Sequence, residues 1–217
     1  MQVEAMRQEE MSGFNKYKDE FKVVFDVGAR GNTEFIDIHP NCEYHLFEPQ
    51  KEYVDHLKEV TKDMLNVYVN HCGLSDEPAK AQKFYKNVES FIPHPFLDST
   101  YEGEDYDLHT VSEYCWVHKI AQIDFLKIDT EGHDYRILLG AKDMLEQNRI
   151  KYIQFEYWDG VQKFAELLSE KFDMTFMCED GKEYELNESC IQWIDQDRIP
   201  RGMGGDIFCK IKTWPWN

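Results

Sequence analysis

The sequence predicts an α/β fold in which a mostly parallel sheet carries helices on both faces and ends in an antiparallel hairpin. Three observations point to it. Short apolar runs at 23–25, 44–47, 67–69, 123–128 and 152–155 alternate with stretches whose apolar residues recur at helical spacing, the pattern of successive strand-helix units. The first run ends in Asp26 and breaks at once into Gly28 and Gly31, as a parallel strand does when it hands over to a helix through a tight turn. The tail differs, because 191–194 and 207–211 are two strand-like runs with no helix between them, as an antiparallel hairpin requires.

In order, 1–21 is a polar arm or helix to which no function attaches, and 22–217 is one domain. The first strand covers about 22–26, and Asn32 or Thr33 caps a short helix after Gly31. Pro40-Asn41 turns into a strand at 43–47, and Pro49 opens a helix over 50–62 with Tyr53, Val54, Leu57 and Val60 on one face. Residues 66–71 alternate as a strand, 80–87 suit an extra edge strand, and 89–109 read as a long surface excursion of the kind that often forms a binding loop. Thr110 and Glu113 form a capping box for a helix to about 119. A strand at 123–128, a helix at 133–147, a strand at 152–157, a helix at 161–171 and a strand at 172–177 follow.

With 217 residues, 42% hydrophobic and 14% aromatic, the chain can bury one full core and has little room for a second. The formal charge of -18 meets no basic cluster, so the long-range field opposes a phosphate backbone and argues against nucleic acid. Six scattered cysteines include no C-x-x-C pair, which fits reduced thiols better than zinc ligands or a disulfide scaffold. The first residues have no basic-then-apolar leader, and about 18 uninterrupted apolar residues, the need of a membrane span, occur nowhere. The expectation is a soluble, cytoplasmic protein; one domain cut from a longer chain would read the same way.

Gly28 and Gly31 let main-chain amides approach a ligand where side chains would fill its space. Twenty-two residues beyond Asp26, the second strand ends in Glu48, a position from which a carboxylate accepts both hydroxyl protons of a ribose, and equally a place for a charge at a helix N-terminus. Together these segments predict a nucleoside-containing cofactor. Gly73-Leu74-Ser75 is then expected to border the base, Leu74 packing on the ring and Ser75 or a main-chain amide reading its edge. Asp129 and Glu131 follow the fourth parallel strand, at the edge where open α/β sheets bind ligands. His133 reads either as a second candidate base or as a solvent-facing residue of the next helix.

Asp26-Val-Gly-Ala, Phe47-Glu48-Pro49, Asn70-His-Cys-Gly73-Leu-Ser-Asp76, Asp124-Phe-Leu-Lys-Ile-Asp129-Thr-Glu131-Gly132-His133 and Leu139-Gly140-Ala141 succeed one another in the order and spacing of a known family. Over roughly 22–157 the chain resembles the FkbM-type S-adenosylmethionine-dependent methyltransferases. The Lys-Ile-Asp-x-Glu-Gly motif followed by Leu-x-Gly-Ala carries most of the likeness, since many nucleotide-binding folds share the glycine turn. The resemblance implies a Rossmann-like class I methyltransferase fold with a seven-stranded sheet, S-adenosylmethionine as cofactor, and transfer to a hydroxyl oxygen of a sugar or natural product. On it, Asp26, Val27, Gly28, Ala29, Arg30, Gly31, Asn32, Glu48, Pro49, Gly73, Leu74, Ser75 and Asp129 bind the cofactor, and Asp129, Glu131 and His133 are catalytic. The family usually has Asn after Gly-Ala and a glycine two positions later. Arg30, Gly31 and Asn32 stand there, which predicts a turn shifted by one residue, with Arg30 on the cofactor carboxylate or in solvent.

Methylating an alcohol needs its proton removed as the oxygen attacks in line, so a positioned carboxylate or imidazole is the expected base. The expected acceptor is a sugar hydroxyl in a glycan or glycoconjugate, a neutral group that suits the negative field. A small natural product or lipid hydroxyl is the alternative if 89–109 closes over an apolar cavity. A dinucleotide-dependent oxidoreductase could use Glu48 equally, but G-x-G-x-x-G is missing; a non-catalytic module is opposed by the carboxylates at 26, 48, 129 and 131. Glu156 ends the next strand, and with Asp129 and Glu131 it could hold a divalent cation such as magnesium, although the spacing alone carries little signal. Trp158, Trp193, Trp214 and Trp216 are candidates to stack on sugar faces or to pack internally, and Asp206, after a glycine-rich segment, could join the acceptor pocket.

Overall fold

The computed structural model describes residues 8–84, 104–157, 160–196 and 205–215. In chain order they form α1 (Gln8–Tyr17), β1 (Val23–Val27), α2 (Glu34–Ile38), β2 (Glu43–Phe47), α3 (Lys51–Val60), β3 (Val67–Asn70), β4 (Gly73–Leu74), β5 (Ala79–Phe84), β6 (Glu104–His109) and α4 (Val111–His118). Then come β7 (Ile123–Ile128), α5 (Asp134–Gly140), α6 (Lys142–Glu146), β8 (Ile150–Phe155), α7 (Gln162–Leu168), β9 (Phe172–Cys178), β10 (Glu183–Glu185), α8 (Glu188–Asp195) and β11 (Gly205–Ile211).

One sheet runs β10-β9-β11-β8-β7-β1-β2-β3, and β4-β6-β5 form a small second one. β3, β2, β1, β7 and β8 are parallel, while β11 is antiparallel to both β8 and β9. The architecture is the α/β fold expected, with the short β10 added as an eighth strand at one edge. β7 is buried at every position, as a central strand covered on both faces must be. Period-two alternation sorts the core into two layers. Phe25, Val27, Leu126, Ile128, Ile153 and Phe155 point one way, and Val24, Tyr44, Leu46, Phe125 and Tyr152 the other.

The tail departs from expectation in its pairing. Residues 191–194 lie in α8, because Asn187 caps that helix by accepting from the Cys190 amide (3.0 Å) and Ile191 and Ile194 bury one helical face. β11 therefore pairs with β9, returning between it and β8. Within the expected 89–109 excursion, 104–109 is β6, whose Tyr106 and Leu108 alternate inward; 85–103 fall outside the described residues. The expected helix 133–147 divides at Ala141 into α5 and α6. At Gly140, the last residue of α5, a Cβ would lie 2.0 Å from the Ser75 carbonyl oxygen, so the loop after β4 packs against the helix only because the residue is glycine. The Thr110 cap is as expected, its hydroxyl accepting from the Glu113 amide at 3.0 Å.

α1 packs on the sheet as part of the domain. Phe14 is fully buried among Phe21, Phe35 and Phe125, which contributes about 1.5–3 kcal/mol. Gly13 lets the helix lie close, since a Cβ there would meet the Phe208 ring at 2.4 Å. None of the six cysteines is paired. No helix among the described residues is long and apolar enough to cross a membrane.

Candidate active site

The carboxyl ends of β1, β2, β7 and β8 lie along one edge of the sheet, and the turn after β1 is built by its neighbours. The Gly28 and Ala29 amides donate to the Phe47 carbonyl (2.9 and 3.3 Å), and the Asp129 amide donates to the Val27 carbonyl (2.9 Å). Gly28 has φ +86, and a Cβ on it would lie 1.9 Å from the Asp129 carbonyl oxygen, so the loop after β7 passes directly across it. Glu48 is buried, with Oε2 accepting from the Arg30 amide (2.9 Å) and Oε1 from the Gln50 amide (2.7 Å). It thus ties the glycine turn to the start of α3. Pro49 offers its carbonyl to His71 (2.9 Å).

Arg30 adopts φ +45, a left-handed backbone that costs a non-glycine residue about 1–2 kcal/mol, with its side chain exposed. Asparagine tolerates that conformation better, so the family's usual residue suits this position in the turn as it stands. Gly31 follows at φ +82, and Asn32 closes the turn: its amide reaches the Ala29 carbonyl (2.7 Å) and its Oδ1 accepts from the Glu34 amide (2.7 Å).

The expected base-binding loop is held from below. Leu74 is buried in the core and Gly73-Leu74 pairs with β6. The Ser75 hydroxyl donates to Asp76 Oδ1 (2.8 Å) and lies 2.9 Å from His133 Nε2, and because Ser75 has given its proton away, Nε2 carries the hydrogen. His133 is not solvent-facing. It is buried against the Ser75 loop, and burial, with Arg136 nearby, pulls its imidazole down to about 4, so it is neutral at pH 7.

A polar rung crosses the sheet where the sequence suggested only separate acids. Asp26 pairs with Lys127 across β1 and β7, Lys127 pairs with Gln154 across β7 and β8, and Gln154 Nε2 donates to Asp206 Oδ2 on β11 (2.6 Å). The same Nε2 donates to the carbonyl of Glu10 in α1 (3.0 Å), and Lys127 Nζ contacts Asp129 Oδ2 (3.1 Å). Carboxylate oxygens of Glu10, Asp129 and Glu156 all lie within 4.8 Å of one another. Glu131 is not in that trio; it occupies a half-buried left-handed turn (φ +52) two residues after Asp129.

Burial pulls Lys127 down, but Asp129, Asp206, Glu10 and Asp26 outweigh it and hold the ammonium above its ordinary range. Burial pushes the carboxyls of Asp26 and Asp206 up to about 7, Lys127 opposing the rise in both. Glu10, Lys127 and Gln154 escaped the sequence reading. For Glu10 the available signal was the stripe Met11, Phe14, Tyr17 and Phe21 at helical spacing, which marks 8–21 as a packed element.

Asp134, at the start of α5, is buried with Oδ2 accepting from the Thr130 hydroxyl (3.0 Å), and burial together with the Asp129 charge pushes it up to about 7. A carboxyl whose folded value lies above its unfolded one takes up a proton on folding, so its contribution is full below about pH 4 and lost as pH rises through about 7. Asp134→Asn is therefore expected to match the wild type near pH 4 and to exceed it at pH 8 by on the order of 2 kcal/mol. Urea midpoints at the two pH values check this; equal differences at both would show that Asp134 ionises normally.

Of the aromatics, Trp193 packs on Phe176 and Tyr184, and Trp214 packs against the core with Lys151 Nζ 5.8 Å from its ring, both structural placements. Trp158, Trp216 and the glycine-rich 202–204 lie outside the described residues.

A family model described as the methyltransferase FkbM domain matches residues 26–183. A candidate methyltransferase from Streptococcus mutans, solved in complex with S-adenosylhomocysteine, is similar with a TM-score of 0.52 at 10% identity, over 96% of this chain and 99% of that one. A candidate rRNA methylase from Clostridium thermocellum gives 0.51 at 9% identity, over 97% and 99%. At such identities the likeness is one of fold, and function has to be argued from the site. No curated protein matches this chain.

Proposed function

The chain belongs to the FkbM methyltransferase family, and from that premise we propose an S-adenosylmethionine-dependent O-methyltransferase whose acceptor is a hydroxyl of a sugar in a glycan or glycoconjugate. The cofactor, when bound, supplies an electrophilic methyl group on a sulfonium. The residues present fit it. Main-chain amides fix both oxygens of Glu48, and a carboxylate oxygen can accept more than one hydrogen bond, so the ribose hydroxyls can be taken as well. Asp129, oriented by Lys127, receives the cofactor's amino group, and the surrounding carboxyls favour a ligand that carries positive charge.

The observation that carries the reading is that the loop bearing Asp129 and Glu131 lies on Gly28, so the cofactor turn and a candidate base share one wall of the site. Glu131 would take the acceptor's hydroxyl proton, and the cofactor would supply the methyl group, its S–CH3 bond breaking with the electron pair kept by sulfur as adenosylhomocysteine departs. Holding the acceptor oxygen close and aligned contributes as much, on the order of 7 kcal/mol or more. His133, buried and neutral at Ser75, acts in this scheme by positioning the loop against the base.

Calorimetric titration with S-adenosylhomocysteine tests the premise, and labelled methyl donor with a panel of sugars tests the acceptor. Micromolar one-to-one binding and an alkali-stable methyl ether are expected. A folded protein that does not bind adenosylhomocysteine would sink the proposal. Glu48→Ala is expected to weaken this binding by ~1.5–3 kcal/mol, about tenfold to 150-fold; unchanged affinity would take Glu48 out of the site. A second reading, methylation of an amine, is favoured by the same group of carboxyls, and label appearing on the nitrogen of an amino sugar would select it.

A further inference from the structure

We propose that β3 is a docking edge for a second copy of this chain, and that two copies join by antiparallel pairing of β3 with β3 about a two-fold axis at Tyr68. The inference does not rest on the activity proposed above.

β3 ends the main sheet, with β2 as its one strand neighbour among the described residues. The carbonyls of Asn66 and Asn70 face that neighbour, accepting from the Tyr44 amide (2.8 Å) and the Glu48 amide (3.1 Å). Along a strand the main-chain groups of successive residues turn to opposite sides, so Val67 and Val69 aim their amides and carbonyls outward, as an edge strand does. These two residues lie symmetrically about Tyr68. A half-turn about that residue sets Val67 opposite the partner's Val69 and Val69 opposite the partner's Val67, each pair exchanging both of its hydrogen bonds. The two Tyr68 residues then face each other as a non-hydrogen-bonded pair, their Cα atoms about 4.5 Å apart. Each edge satisfies the other's donors and acceptors in one register, which favours a copy over an unrelated strand.

Exposed strand edges invite pairing, and proteins blunt them with short strands, charges, proline or bulges. Other edges of this molecule follow that rule. β10, at the far side of the main sheet, is three residues long and carries Glu183 and Glu185. β5, at one edge of the small sheet, has Lys80, Lys83 and a register shift between Ala79 and Gln82. β3 has none of these devices. Residues 64–72, Met-Leu-Asn-Val-Tyr-Val-Asn-His-Cys, include no Asp, Glu, Lys, Arg or Pro in a chain that is 30% charged. Two copies of charge -18 repel over most of their surface, so an uncharged edge is where they can meet, and salt that screens the repulsion strengthens the pairing.

Apolar side chains fringe this edge. Leu65, just before β3, is 94% exposed, and Val60, Met64 and Tyr68 are exposed as well. The Tyr68 ring is already stacked on the buried His45, 4.9 Å between centroids, so little freedom is lost when a partner covers it. A contact through so short a strand falls below the standard interface of about 1,200–2,000 Å², which places the affinity in the micromolar range or weaker.

The test is sedimentation velocity on the full chain from about 5 to 500 μM in about 0.5 M sodium chloride, which screens the repulsion. A concentration-dependent equilibrium of monomer and dimer is expected. Tyr68→Lys, which sets two ammonium groups face to face, and Val69→Pro, which deletes an outward donor and spares the bonds to β2, are each expected to weaken it about tenfold or more. Tyr68→Cys is expected to lock a covalent dimer on mild oxidation, whereas the wild type, whose cysteines are buried or half-buried, does not. Thermal midpoints check that the variants fold, and if Val69→Pro does not, the two Tyr68 variants still decide. A monomer throughout the range would overturn the proposal and leave the edge to a different partner. A dimer that Tyr68→Lys does not weaken and Tyr68→Cys does not lock would overturn it too, by placing the contact on another face.

Discussion

Gly28→Ala is expected to destabilise the protein by about 3 kcal/mol or more and to abolish measurable adenosylhomocysteine binding at micromolar concentrations. Two penalties add at this position. The backbone sits at φ +86, where an L side chain is strained, and the new Cβ would overlap the Asp129 carbonyl oxygen at 1.9 Å. That contact is with backbone, which no rotamer change relieves, so the loop after β7 must lift and carry Asp129 and Glu131 with it. For a chain of this size the loss corresponds to a fall in Tm of roughly 6–12 °C. Arg30→Asn, two residues on, is the control. It replaces a left-handed arginine with a residue that tolerates the conformation and is expected to be neutral or to stabilise by up to about 1 kcal/mol. Equal Tm values for wild type and Gly28→Ala would mean that the two loops do not cross as described.

Glu131→Gln is expected to lower methyl transfer by about 10²–10⁴-fold, the range for losing a general base, while adenosylhomocysteine affinity stays within about twofold. The amide keeps the size of the side chain and the left-handed turn (φ +52) but cannot take the acceptor proton. Single-turnover rates with labelled donor, read beside calorimetry on the same preparation, separate the outcomes. Equal loss of rate and cofactor affinity would make Glu131 a structural residue of the turn. An unchanged rate would pass the role of base elsewhere in the acidic cluster.

Much of the site is local in sequence and was legible there. The strand ending before Gly28, the acid ending the next strand at Glu48, and the Asp129–Glu131 pair each sit at a strand terminus defined by an apolar run and a turn signal within a few residues. Which of these groups meet was not legible. His133 read as a base or a surface residue because it lies two positions from Glu131, yet the start of α5 turns it under Ser75, 58 positions away in the chain. The run 191–194 reads as a strand in isolation; Asn187 as a cap and the i, i+3 burial of Ile191 and Ile194 make it a helix.

By itself the sequence determined the α/β class, the place of the glycine turn, the acid that follows the second strand and the family, because these rest on hydrophobic period and turn chemistry, which act over a handful of residues. The tertiary structure decided the polar rung of Asp26, Lys127, Gln154 and Asp206 and the convergence of Glu10 with Asp129 and Glu156. Those contacts depend on strand register and on where α1 docks, with Glu10 and Glu156 joined across most of the chain. Register and docking are set by how the two core layers pack around the whole sheet, a property that no short window of residues contains.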